Sequence, residues 1–119
     1  MIQIKPLRIL LAAVLCVGLI ACDGPQEREK AYLERGKSLF ETGNYVKARL
    51  EFRNALQINP KGIESRFFLA NIEQKVGNIR GAYGGFVKLV EEHPDYMPAQ
   101  LELARILFLT GQSGSNTDM

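Results

Sequence analysis

Two apolar patterns follow one another along the chain. From Ile9 to Ala21 the residues are apolar or small without interruption. From Glu29 onward apolar positions recur at helical intervals, separated by turn-forming residues. Tyr32, Leu33, Leu39 and Phe40 set a helix over 29–41. Thr42-Gly43-Asn44 breaks it: Gly43 can take a left-handed cap and Asn44 can cap the next helix. That helix, 45–58, carries Ala48, Phe52, Ala55, Leu56 and Ile58 and stops at Asn59-Pro60. The order then repeats: a helix over 63–76, Gly77-Asn78, a helix over 79–92, His93-Pro94, and a further helix over about 98–110, with Pro98 tolerated in its first turn.

The recurrence has a fixed step. Gly43, Gly77 and Gly111 are 34 residues apart, as are Pro60 and Pro94, Ala48 and Ala82, Phe52 and Phe86, and Asn44 and Asn78. Gly36, Ala70 and Ala104 keep a small residue in the same register. So many coincidences at one period mark a repeat whose unit is two antiparallel helices. Helices that pack at 8–10 Å need small residues at their closest points, a role that falls to Gly36, Ala48 and Ala55, with Tyr45 and Phe52 filling the gaps. In the second unit Arg66 stands where Tyr32 stood, and Leu89 where Ala55 stood. Gly81, Gly84 and Gly85 inside its second helix predict a locally weak helix rather than a hinge or a close-contact face.

Tyr32, Gly36, Ala48, Phe52, Ala55 and Pro60 form a signature that resembles the tetratricopeptide repeat. The resemblance implies an all-α antiparallel helix-turn-helix solenoid of about two and a half repeats. Repeat one covers 29–62 and repeat two 63–96. A partial third, 97–112, has its first helix only, and 113–119 reads as a disordered tail. The third helix keeps Leu101, Leu103, Ile106, Leu107, Phe108 and Leu109, apolar on nearly every side, so something is expected to cover it: a second copy of the chain, another protein, or further repeats.

The early apolar run changes the picture of where the chain works. Residues 9–21 fall short of the roughly 20 that span a bilayer. Lys5 and Arg8 precede the run with no acidic residue, which is the layout of an export signal. Leu19-Ile20-Ala21-Cys22 resembles the bacterial lipobox, which implies cleavage after residue 21 and a covalent lipid on Cys22. Residues 22–28 then form an anchor linker. Asp23 resembles the signal that retains lipoproteins in the inner membrane, so a periplasm-facing place in the bacterial envelope is expected, the inner membrane favoured over the outer. Cys16 leaves with the leader, so the processed chain has no free thiol and no disulfide.

Charge then excludes one class of partner. The chain has 15 basic and 13 acidic residues. Losing Lys5 and Arg8 leaves it neutral, without the net basic balance that marks nucleic-acid binding. Catalytic chemistry is also not expected. The single His93 lies in a turn, Glu91 and Glu92 are sequence neighbours that point apart on a helix, and no zinc-ligand spacing occurs. No cofactor and no enzymatic activity are expected.

The resemblance places function in the groove lined by the first helices. Its register maps Leu33, Lys37 and Phe40, then Phe67, Asn71 and Gln74, then Leu101, Arg105 and Phe108 onto that groove. An amphipathic helix or extended peptide of a partner protein is the expected guest, with core packing as the competing role for some of these side chains. Leu33 and Lys37, with Pro98 and Glu102, do not supply the two-carboxylate clamp of chaperone-binding members. The stretch Ala48–Pro60, ARLEFRNALQINP, together with the lipobox, also resembles the start of tetratricopeptide lipoproteins of the PEP-CTERM/exosortase exopolysaccharide systems. This implies a scaffold in envelope or exopolysaccharide assembly. The alternatives are a truncated fragment of a longer array and an accessory subunit of an envelope enzyme.

Overall fold

A computed structural model describes residues 24–115, with side chains to residue 111. The leader 1–21, Cys22, Asp23 and the tail from residue 116 lie outside the described residues. Five helices follow in order: α1 Pro25–Glu41, α2 Tyr45–Ile58, α3 Ile63–Lys75, α4 Ile79–Glu92 and α5 Met97–Ser115. No strand occurs among the described residues, and none of their helices is long and apolar enough to cross a membrane. The chain is an all-α solenoid of about two and a half two-helix units.

The turns inside the units form as their residues dictate. Gly43 and Gly77 adopt φ values of 78° and 87°. Each left-handed residue lets the following Asn N–H reach back to the helix it closes: Asn44 N to Leu39 O at 2.9 Å, Asn78 N to Glu73 O at 2.8 Å. Each Asn side chain then caps the next helix. Asn44 accepts from the Lys47 amide at 3.3 Å and Asn78 from the Gly81 amide at 3.1 Å. Within the first unit, the Asn59 side-chain amide donates to Glu29 Oε1 at 2.9 Å and so ties the end of α2 to the start of α1.

Two boundaries differ from the sequence reading. The first helix begins at Pro25, not at 29, so most of the expected 22–28 linker is helical. Proline at the first helical position loses nothing there, because its missing N–H would have had no partner, and Glu27 complements the helix N-terminus. At the other end α5 continues to Ser115, past the expected helix end at about 110. Gly111 therefore does not act as a terminator, unlike its counterparts Gly43 and Gly77.

The core divides into two clusters that share one helix. Ala48, Phe52 and Ile72 are buried in the first, with Leu33, Leu39, Phe40, Tyr45, Phe68 and Leu69 packed around them. Ala70, Ala82, Phe86, Leu89, Ala99 and Ile106 form the second, with Phe67 and Tyr96 against it. Neighbouring residues of α3 serve both. Phe68 stacks on Phe52 at 5.0 Å and 7° and meets Phe40 edge-on at 5.3 Å, while Phe67 leans on Phe86 at 5.8 Å and on Tyr96 at 5.7 Å. The two rings also touch each other, at 5.7 Å.

Small residues mark the closest helix approaches. A Cβ on Gly36 would lie 2.6 Å from the Phe52 ring, and one on Gly85 would lie 2.9 Å from Ala70 Cβ. Gly85 is therefore a contact residue, which corrects the expectation that the α4 glycines only weaken the helix. Gly84 is different, since a Cβ there meets nothing within 4 Å. Gly84→Ala is expected to stabilise the fold by about 0.8–1 kcal/mol through backbone entropy alone. Gly85→Ala should gain nothing or destabilise, because Ala70 cannot yield. Paired thermal melts of the two variants test this. The third small position, Ala104, is exposed, in contrast to Gly36 and Ala70.

Candidate partner-binding surface

The nine residues assigned to the groove fall on the first helices, α1, α3 and α5, three on each. Lys37 sits at the α1–α3 step. Its ammonium reaches Glu64 at 2.6 Å on α3 and Glu34 at 3.3 Å on its own helix. The hydrogen bond to Glu64 holds the Lys37 ammonium above the ordinary lysine range, with burial opposing it. Tyr96 lies near the same pair. Burial pushes its hydroxyl up, and the Glu64 charge adds to the effect. Lys37 and Glu64 thus form an ion pair across two repeats, with the Tyr96 side chain nearby.

The apolar members divide by burial. Phe40 and Phe67 are half-buried and belong to the two core clusters, so they stabilise the repeats as well as edge the surface. Leu33 is half-buried and lines a pocket of about 290 Å³ beside Asn59 and Ile63. The Asn71 side-chain amide donates to the Phe67 carbonyl at 3.0 Å, one turn back on α3, and Gln74 is half-buried. On α5 the positions are open: Leu101 is 61 % and Phe108 64 % exposed. Arg105 between them is held loosely by Glu102 at 3.3 Å. Residues 101, 105 and 108 lie on one helical face, an apolar-basic-apolar strip.

Exposed apolar surface elsewhere was not foreseen. Val46 (85 % exposed), Leu50 and Val76 surround a pocket of about 510 Å³ with Tyr45, Arg49 and Arg53. The signal was present: Val46 and Leu50 are four apart on α2, on the opposite side from Ala48, Phe52 and Ala55. Of the positions considered for chemistry, Glu92 is bound to Arg66 at 2.7 Å, which draws its carboxyl below the usual range. The pairing explains how a cation stands at Tyr32's register position in the second unit. Among the described residues no three His, Cys, Asp or Glu side chains stand close enough to hold a metal ion.

Comparison with known proteins finds a match in the first unit. Residues 29–61 match the family described as tetratricopeptide repeat. The human (Homo sapiens) Superkiller complex protein 3 is 31 % identical over 64 residues, which is 54 % of this chain and 4 % of that protein. The chain therefore spans a small fraction of that relative's length.

Proposed function

We propose that this chain, a tetratricopeptide-repeat protein, is an exported bacterial lipoprotein that holds a partner protein on the exposed face of its first helices during envelope or exopolysaccharide assembly. Repeats of this kind serve as protein–protein interaction scaffolds. The observation that carries the reading is the strip Leu101, Arg105 and Phe108 on α5, where large apolar side chains remain in solvent on the first helix of a unit. Two apolar anchors two turns apart, with a cation between them, suit an amphipathic helix or an extended segment. The lipobox-like Leu19-Ile20-Ala21-Cys22 and the basic start supply the membrane part of the proposal. Two or three acyl chains hold a protein to a bilayer where one does so only marginally.

Two measurements test it. Fatty-acid labelling of the expressed protein is expected to mark the wild type and to vanish in Cys22→Ala. Labelling that survives the substitution, or never occurs, removes the anchor. Pull-down from solubilised envelopes is expected to recover a partner, and Leu101→Ala and Phe108→Ala should each weaken it roughly tenfold, as loss of an anchor residue does. Recovery unchanged in both variants would argue against the α5 strip. A second reading, a segment of a longer array, has Leu107 and Leu109 in its favour, which stand 52 % and 58 % exposed beside the strip. A stacking helix would bury these same side chains.

A further inference from the structure

Where α2, α3 and α4 meet, a pocket of about 260 Å³ gathers four cationic side chains, and none of the nine candidate groove residues takes part. Arg49 and Arg53 come from α2, Arg66 from α3 and Lys88 from α4. Gly81 and Gly85 present no side chain, so the α4 wall is low and the pocket stays open.

The carboxylates nearby are already engaged. Glu73, the acidic residue of the wall, receives Arg49 Nη2 at 2.7 Å on one oxygen and the Asn78 side-chain amide at 2.7 Å on the other. Arg66 is held by Glu92 at 2.7 Å, and Lys88 lies one turn from that same carboxylate. Arg53 and Lys88 have no ion-pair partner among the described residues. Arg49 Nε is buried and has no protein acceptor. Like charges held together favour an anion between them.

We infer that this pocket binds a phosphate group, either free or as a phosphomonoester. Guanidinium groups present paired N–H donors that match phosphate oxygens. Arg53 from α2 and Lys88 from α4 supply two points of contact beside the Arg49 guanidinium. The volume suits an oxyanion with a small substituent and falls below the range of drug-sized sites. A bound phosphate would bridge α2 and α4, the second helices of successive units, and so stiffen the step between them.

The test is titration of the full processed chain in detergent, observed through arginine 15Nε–1H resonances. Inorganic phosphate should shift the Arg49 Nε signal saturably, and sodium chloride at matched ionic strength should not. The double variant Arg53→Gln/Lys88→Gln, both positions exposed, should weaken binding about tenfold or more with an unchanged helical spectrum. Glycerol 3-phosphate separates the two sources. Tighter binding than inorganic phosphate points to a lipid headgroup, and equal or weaker binding points to free phosphate. A shift reproduced by chloride, or an affinity untouched in the double variant, overturns the proposal.

Discussion

Replacing Phe52 with alanine is expected to destabilise the protein by about 3–5 kcal/mol, the range for removing a fully buried aromatic ring. Phe52 has no exposed surface, packs its ring against the Gly36 backbone and stacks on Phe68. The space it leaves is bounded by α1, α2 and α3 at once. Domains are commonly stable by only about 5–15 kcal/mol, so this single change should remove a large part of the total. Urea denaturation followed by far-UV circular dichroism measures it. Hydrogen exchange should show the loss concentrated in α1 and α2, because repeat units couple mainly to neighbours. Wild-type protection of α1 and α2 in the variant would show that the first cluster does not depend on this ring.

Phe68→Ala should come second, at about 3 kcal/mol, and should differ in kind. Phe68 is half-buried, but its ring meets Phe52, Phe40 and the neighbouring Phe67. Those contacts join the α1–α2 unit to α3. Their loss weakens the step between units more than either unit, so the unfolding transition should broaden or split as well as shift. A transition that shifts without losing sharpness would mean the coupling runs elsewhere along α3.

The repeat was legible because local signals agreed with one another. Gly43 and Gly77 turn left-handed, Asn44 and Asn78 cap, and Phe52 and Phe86 are buried, each in the register that the period of 34 assigns. The helix ends were less so. Pro25 reads equally as linker or as first helical residue, and only the following turn decides. Gly111 looks like Gly43 and Gly77 in sequence, yet it lies inside a helix. Half of the candidate surface was also ambiguous. Phe40 and Phe67 carry the same side chain as Phe108, and whether a ring packs or faces water depends on what lies on the next helix. The cationic pocket was hidden for a related reason. Its side chains arrive from three helices, and equal totals of basic and acidic residues beyond the leader conceal a local excess.

The early start of α1 bears on how the protein would sit at a bilayer. If Cys22 carries lipid as proposed, only Asp23 and Gly24 separate it from the rigid rod that opens at Pro25. A stretch of three residues reaches no farther than about 11 Å, roughly the depth of the headgroup layer. The protein would then ride against the membrane like a buoy on a short chain, with its first turns grazing the lipid and little freedom to sweep outward for distant partners.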